Sequence, residues 1–192
     1  MAGLFYHLGR LVGPKVRQAN WVYRSLAGTE AESVRAEQAV GLDLARAFVR
    51  ELPPDPDPAV KEFVEGLGAR LTSCLTGGLW AFRFLPVLAP EANAFALPGG
   101  FIFVARPLLE LCRWDRDETA FILGHEMGHV LKRHAIDRLM ANSFLSTLMS
   151  RLPLGGGLVR PQVAAVLGTL LRQGYSREQE LDADVLGLRL ME

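Results

Sequence analysis

The stretch GHEMGHVLKRH, residues 124–134, places two histidines four positions apart, with a glutamate directly after the first. Residues four apart lie on one face of an α-helix, so His125 and His129 can present two imidazoles to one ion. Zinc binds imidazole nitrogens at about 2.0–2.1 Å, and a hydrolytic site adds a third protein ligand and an open position. Glu126 is placed to act on a water in that position. The motif alone leaves two interpretations open: a zinc hydrolase core, or a surface helix that carries the pattern by coincidence.

The helix that carries this motif is predicted to be long, with free space beside the histidines. Asp115 with Glu118 is expected to form its cap, and one helix is expected to run from there to about Met140. Gly124 and Gly128 lie beside the histidine face, and their missing side chains are expected to leave room there.

The last predicted helix supplies two further candidate residues. Glu180 and Asp184 are four apart and share a face, with Gly187 one turn further along it. Glu180 is a candidate third ligand, and Asp184 is a candidate acceptor for the free N–H of a ligating histidine. Gly187 would let the two helices approach closely. A buried aliphatic stripe is predicted beside the carboxylates, formed by Leu181, Val185 and Leu188. The alternative is an ordinary solvent-exposed acidic face.

Length and composition indicate one compact globular domain. The 192 residues are 49% hydrophobic and 22% charged, which is enough apolar material for a sizeable core. The formal net charge is zero, so no overall field favours nucleic acid as a partner. Cys74 and Cys112 lack the spacing of a metal-binding cysteine pair, and two free buried thiols are favoured over a single disulfide.

Local signals predict helices at both ends of the chain and a small sheet between them. Thr29 and Ser176 each precede, by three residues, a Glu or Gln that completes a capping box, and Asp57 before a proline starts another helix. Residues 79–88 alternate in hydrophobicity, as a strand does. Residues 93–105 are predicted to form two short strands around a type II turn with Gly99 at positive φ. This order predicts an α+β domain.

Three segments in register resemble one protein family: NAFALPGGFIFV (93–104), GHEMGHVLKRHA (124–135) and YSREQELDAD (175–184). Their order and spacing are similar to those of metallopeptidase family 48, the HtpX-like, CAAX prenyl protease type I and BepA-like zinc peptidases. The resemblance covers roughly residues 30–192. It implies a zincin-like (gluzincin) fold, mostly helical with a small mixed β-sheet, as a single domain over residues 29–192.

The resemblance also implies a site with one zinc ion per chain. His125, His129 and Glu180 match the metal ligands of the family. Glu126 matches its general base, and Asp184 matches the acid four residues after the third ligand. The implied activity is zinc-dependent hydrolysis of peptide bonds within proteins, with the clearing of misfolded or membrane-associated proteins, a form of quality control, as the natural role.

An edge strand above the zinc is implied for four residues that would pair with an extended substrate: Asn93, Ala94, Phe95 and Ala96. Main-chain pairing carries little sequence information, so broad specificity is expected. An ordinary hairpin is a second, compatible interpretation of this segment. The expected partners are protein or peptide substrates, and no nucleic acid.

One departure from the family pattern leaves the activity open. Many members continue past the last motif helix into a segment with a His-Pro pair and an Arg near the active site, whereas this sequence ends at Glu192. The oxyanion stabiliser is therefore undetermined. Tyr175 and Arg177 lie near the third ligand and are candidates, but a structural role is favoured for both. His134, five residues past His129, is expected to support the site or the fold rather than bind metal. The alternative function is a latent or inactive short zinc protein, or a non-enzymatic membrane-surface or chaperone-like module.

Two segments bear on membrane contact. Residues 1–28 carry four basic residues and no acidic one, and a basic amphipathic arm packed on the domain is favoured over one lying on an anionic membrane. Residues 142–174 are strongly apolar, and a packed helical hairpin is favoured over membrane contact. The sequence shows no signal-peptide pattern and no apolar run of about eighteen residues. A cytoplasmic location is expected, with peripheral membrane association as the alternative.

Overall fold

The computed structural model describes residues 29–76, 78–141 and 174–192. The predicted basic arm, residues 1–28, and nearly all of the apolar stretch 142–174 lie outside the described residues. The described elements, in chain order, are α1 (Glu30–Phe48), α2 (Pro58–Ser73), β1 (Arg83–Val87), β2 (Ala94–Leu97), β3 (Phe101–Ala105), α3 (Arg106–Leu111), α4 (Arg116–Leu131), α5 (His134–Ala141) and α6 (Arg177–Met191). This order of helices, sheet and helices agrees with the predicted α+β class.

Side-chain caps fix where four of these helices begin. The Glu32 amide donates to Thr29 Oγ1 and the Thr29 amide donates to the Glu32 carboxylate, so α1 begins with the predicted capping box. Ser176 makes the same reciprocal pair with the third residue of α6. The carboxylates of Asp57 and Asp115 accept amide hydrogen bonds from the first turns of α2 and α4. All four predicted helix starts are confirmed.

A three-stranded mixed sheet has the order β1-β3-β2, with β1 parallel and β2 antiparallel to the central β3. β1 begins at Arg83, whose amide donates to the carbonyl of Gly100 directly before β3, and it is shorter than the predicted alternating stretch. The predicted turn joins β2 to β3, and Gly99 there has a φ of 78°. The two short strands around a turn are therefore confirmed.

The sheet separates two hydrophobic clusters, because successive residues of β3 point to opposite faces. On one face, Phe103 packs against Phe48 of α1 and Phe95 of β2. On the other face, Ile102 belongs to a cluster with α2 and α4 that includes Met127. This second cluster holds α4 against the sheet, and α4 also contacts β2. The histidine motif is thereby fixed beside an edge strand.

The motif helix α4 ends at Leu131, so the expected continuation to about Met140 is wrong. Arg133 has a φ of 64°, a left-handed conformation that interrupts a helix, and a separate helix begins at His134. The cause is a tertiary contact. Arg133 Nη2 lies 2.6 Å and Nε lies 2.8 Å from Oε1 of Glu37, a residue of α1 that is only 1% exposed. A buried carboxylate requires such a partner, and this pairing stabilises the break.

Helix α6 crosses α4 at backbone contact distance. A Cβ atom built on Gly187 would lie 2.9 Å from the backbone nitrogen of His125, and one on Gly128 would lie 2.9 Å from Cα of Ala183. A Cβ atom on Gly124 would meet the Gly187 backbone at 3.1 Å. The close approach predicted from Gly187 is therefore confirmed. The open space expected beside Gly124 and Gly128 is not found, because the backbone of α6 fills it.

The predicted buried stripe on α6 is wrong. Leu181, Val185 and Leu188 are 55%, 49% and 55% exposed, whereas Ala183 and Gly187 are buried. Only small residues fit where two helix backbones approach this closely. The larger aliphatic residues, at the same helical period, therefore lie away from the contact with α4.

The cysteines and the helices bear on two further predictions. Cys74 and Cys112 are both free thiols, as expected. Cys112 is buried as expected, but the expected burial of Cys74 is wrong, because this C-cap residue of α2 is exposed. None of the helices in the described part of the chain has the length and apolar character needed to span a bilayer.

Candidate metal centre

Three side chains from α4 and α6 converge on one point. His125 Nε2 and His129 Nε2, on adjacent turns of α4, lie 3.0 Å apart. Glu180 Oε2, from the first turn of α6, lies 3.2 Å from the first of these nitrogens and 3.8 Å from the second. Two donors at about 2.0–2.1 Å from a tetrahedral zinc ion are roughly 3.4 Å apart. The observed spacings of 3.0 to 3.8 Å bracket that value, so the three donors fit a zinc ion.

The third donor is placed by the start of α6 and by the glycine contact with α4. The Tyr175 amide donates to Glu180 Oε1 over 3.3 Å, which orients the carboxylate with its other oxygen toward the imidazoles. The crossing at Gly187 sets the separation of the two helix axes. One constraint acts on the carboxylate and the other on the backbone that carries it, so the position of this carboxylate depends on the helix packing as well as on its own rotamer.

Asp184 lies one turn after Glu180 and contacts the far side of the first histidine. Its Oδ1 is 2.8 Å from His125 Nδ1. An ionised carboxylate can only accept, so the imidazole carries its proton at Nδ1 and presents a lone pair at Nε2. The predicted contact of Asp184 with a ligand-type histidine is therefore present in the structure.

The second histidine is held in a buried and aromatic environment. His129 is 1% exposed, and the Tyr175 ring stacks on it with centroids 3.6 Å apart and an 18° angle between the planes. Its Nδ1 lies 3.1 Å from Nδ1 of His134. Burial, followed by the neighbouring His125 and His134, lowers the pKa of His129 to about 3. The ring is therefore neutral at physiological pH and has a lone pair to offer.

Glu126 projects from α4 into the same cleft. The side chain is buried, and this burial is the main cause that raises its pKa to about 7. The nearby backbone amide of Ala96, on β2, is among the weaker influences that oppose this rise in pKa. Its Oε2 atom has no hydrogen-bond partner among the described residues. A buried carboxylate oxygen without a partner is costly, so this atom is available to a water or a substrate group.

A cleft of about 200 Å³ joins these groups to the edge of the sheet. Its walls comprise both histidines, both glutamates, the start of β2, residue 174, Arg138 and Tyr175. Of the four predicted substrate residues, Asn93, Ala94 and Phe95 line the cleft. Ala96 is not among the lining residues, and its backbone amide only favours the charged form of Glu126.

Sequence comparison gives an independent result. The model of Peptidase family M48 matches residues 57–192, which is well over half of the chain. The chain belongs to peptidase family M48.

Several M48 peptidases are similar to this chain. Mitochondrial metalloendopeptidase OMA1 of Arabidopsis thaliana is 36% identical over 62% of this chain and 24% of its own length. The metalloendopeptidase of the same name from Saccharomyces cerevisiae is 28% identical over 90% of this chain and 47% of its own length. The beta-barrel assembly-enhancing protease of Escherichia coli (strain K12) is 28% identical over 83% and 35%. The chain therefore spans less than half the length of these M48 relatives.

The family membership confirms the resemblance deduced from the three motifs, and with it a metallopeptidase family. The small mixed sheet within a mainly helical domain is also as expected. The structure brings His125, His129 and Glu180 together, with Asp184 behind the first histidine and Glu126 in the cleft.

Arg138 lines the cleft and was not predicted. Its guanidinium carbon lies 4.1 Å from the centre of the Tyr175 ring, on the side chain that stacks on His129. In one continuous helix, Arg138 would be nine residues past His129 and would face the opposite side, because each residue turns by about 100°. The break at Arg133 brings it back to the cleft. The residues around Arg133 do not by themselves predict that break.

Proposed function

We propose that this chain is a zinc-dependent endopeptidase of the gluzincin type, with one zinc ion held by His125, His129 and Glu180. The observation that carries the proposal is the convergence of two imidazole nitrogens and one carboxylate oxygen at 3.0 to 3.8 Å. Neutral imidazole and carboxylate are ligands that zinc prefers, and three protein ligands leave one position open for chemistry. Asp184, through His125, keeps one of the imidazoles in the tautomer that binds metal.

A zinc ion held by these three residues would supply Lewis acidity for the peptide carbonyl and the attacking water. The chain's own contribution is the base. Glu126 Oε2, buried in the cleft with no partner among the described residues, accepts the proton of the attacking water. The same carboxyl then donates that proton to the nitrogen of the leaving amine, so it returns to its starting state after each cleavage.

The edge of β2 that pairs with no other described strand is the proposed binding site for the substrate backbone. Ala105 donates its amide to the Asn93 carbonyl over 2.9 Å, so this pair is a hydrogen-bonded pair of the antiparallel ladder. Such pairs alternate along a ladder, and the amide and carbonyl of Ala94 therefore point to the open side of β2. An extended peptide can pair with Ala94 there. Backbone pairing reads little sequence, which suits substrates that are diverse or misfolded proteins.

The relatives support an action on proteins, because their names describe a metalloendopeptidase and a protease that enhances β-barrel assembly. We extend this to a role in protein quality control for the present chain. Such a role needs broad specificity, and the backbone pairing at β2 would provide it.

Replacement of Glu126 by Gln tests the proposal. E126Q keeps the size of the side chain and both ligand histidines but cannot accept the proton. We expect it to retain one zinc per chain and to cleave unfolded casein about 10²–10⁴-fold more slowly. D117N, an exposed change on the same helix, is the matched control and should cleave at the parent rate. Cleavage by E126Q at the parent rate would refute the assigned base, and a parent protein without zinc would refute the proposed metal site.

A further inference from the structure

We infer that His134 is a positioning residue for the metal site: it accepts a hydrogen bond from His129 and fixes the tautomer in which His129 presents Nε2 to the ion. The inference rests on the proposed zinc site and deepens it. The starting observation is the distance of 3.1 Å between Nδ1 of His134 and Nδ1 of His129. Both side chains are buried, at 6% and 1% exposure, so bulk water does not compete for this contact.

The direction of this hydrogen bond follows from what lies on the other side of His129. Its Nε2 faces His125 Nε2 at 3.0 Å and Glu180 Oε2 at 3.8 Å, which is the metal-binding side. A neutral imidazole has one N–H and one lone pair, so a ring that offers Nε2 to metal carries its proton at Nδ1. His129 is therefore the donor. His134 accepts at Nδ1 and carries its own proton at Nε2.

The two ligand histidines then have different partners for the same task. His125 donates to the Asp184 carboxylate at 2.8 Å, at a partly exposed position. His129 lies deeper in the protein, where another carboxylate would add a buried charge at a substantial cost in free energy. A neutral imidazole can accept the hydrogen bond without adding charge. His134 thus suits the buried ligand as Asp184 suits the partly exposed one.

The break between α4 and α5 is what makes this contact geometrically possible. In a continuous helix, His134 would lie about 140° around the axis from His129, because five residues turn by roughly 500°. Arg133, with its φ of 64°, interrupts the helix directly before His134. The ion pair of Arg133 with the buried carboxylate of Glu37 anchors this turn to α1. The chain therefore uses a distant helix to position the partner of a metal ligand.

Two variants of the full chain separate positioning from folding. H134F fills the site but removes the acceptor, and we expect its zinc affinity to fall by about 10–100-fold in competition with a chromophoric chelator, the usual cost of losing such a partner. H134N places an amide oxygen near the position of Nδ1, so its affinity should stay within a few-fold of the parent. The visible spectrum of the cobalt-substituted protein should change for H134F and stay close to that of the parent for H134N.

I136A is the matched control for a loss of packing. Ile136 is buried on the same helix and belongs to the hydrophobic cluster that includes α1. We expect I136A to lower the melting temperature but to leave the zinc affinity near that of the parent. Equal losses of affinity in I136A and H134F would overturn the inference, because they would show that destabilisation alone weakens the site.

The parent protein provides a test that needs no variant. In the zinc-loaded form, long-range ¹H–¹⁵N spectra should show the proton of His129 on Nδ1 and that of His134 on Nε2. A proton on Nδ1 of His134 would refute the inference. The inference would also be refuted if folded H134F bound zinc as tightly as the parent. In that case zinc binding by the parent would leave the proposed function intact. A parent protein that binds no zinc would overturn both.

Discussion

A methyl group at Gly187 should separate α4 from α6 and weaken metal binding without touching a ligand. The Cβ atom of G187A would lie 2.9 Å from the His125 nitrogen and 3.1 Å from the Gly124 carbonyl carbon. Both are backbone atoms, so neither can rotate away. Ordinary van der Waals contact begins at 3.4 Å, so α6 must move away from α4 by at least 0.5 Å, the difference between 3.4 and 2.9 Å.

That shift is large on the scale of a metal site. Bond lengths to a metal ion are held to within about 0.2 Å, and Glu180 moves with the helix that carries Gly187. We expect the zinc affinity of G187A to fall by at least tenfold. Over-packing of this kind costs about 1–3 kcal/mol, which for a chain of this size lowers the melting temperature by roughly 2–12 °C. Chelator competition measures the affinity, and calorimetry of the metal-free protein measures the melting temperature.

G66A is the matched control, because it makes the same chemical change in an open position. Gly66 lies within α2, and a Cβ atom there would have nothing within 4 Å. Replacing glycine by alanine in a helix stabilises by about 0.5–1 kcal/mol, so G66A should melt slightly higher and bind zinc as the parent does. If G187A instead binds zinc as tightly as the parent and melts no lower, the close crossing does not set the geometry of the site.

Three further changes have expected outcomes that differ in kind. E180Q should lower zinc affinity strongly in chelator competition, whereas E178Q, an exposed change on the same turn, should leave it unchanged. Equal zinc affinities of E180Q and E178Q would exclude Glu180 as a ligand. The Arg106 guanidinium, bonded to Asp55 at 2.6 and 2.8 Å, lowers the pKa of that carboxyl below its ordinary 3.8. The pair of Asp55 with Arg106 therefore stabilises the fold above about pH 3.8, and this stabilisation is lost as the pH falls through the lower pKa of the folded state. Acid unfolding curves of D55N should lack this pH-dependent part of the stability. Superimposable pH dependences of D55N and the parent would contradict the pairing. Y175F removes a buried hydroxyl that has no hydrogen-bond partner among the described residues, but it keeps the ring stacked on His129. The melting temperature of Y175F should therefore equal or exceed that of the parent, and a marked fall would reveal an unrecognised hydrogen bond.

The features that sequence reasoning predicted are those set by local geometry. The caps at Thr29 and Ser176 depend on residues three apart, and the turn at Gly99 depends on one residue that tolerates positive φ. The facing of His125 and His129 depends only on the helical repeat. Each of these is decided within a few residues, and the structure agrees with each.

The features that were wrong or missed depend on contacts between distant elements. The break at Arg133 is decided by Glu37 of α1, and residues 130–134 by themselves are compatible with a helix. Hydrophobicity alone favoured Leu181 for the buried side of α6, but the close crossing selects Gly187 and other small residues. The meeting of Glu180 with the histidine pair was inferred with the help of a family resemblance, since nothing local to either helix encodes it.

The break and the crossing together explain how the site is assembled. The crossing sets the distance of the carboxylate from the imidazoles, and the break returns α5 to the cleft with His134 and Arg138. Two packing features that contain no ligand thus determine the geometry of three candidate ligands. Changes at Gly187 or Arg133 are therefore expected to weaken metal binding, although neither residue is a candidate ligand.

The proposed mechanism depends on one zinc ion held by His125, His129 and Glu180. Anomalous diffraction recorded on both sides of the zinc absorption edge, from crystals of protein purified without added metal, tests it most directly. We expect a single strong peak at about 2.0–2.2 Å from Nε2 of both histidines and from a carboxylate oxygen of Glu180. Well-ordered side chains with no peak between them, or a zinc ion bound elsewhere on the chain, would contradict it.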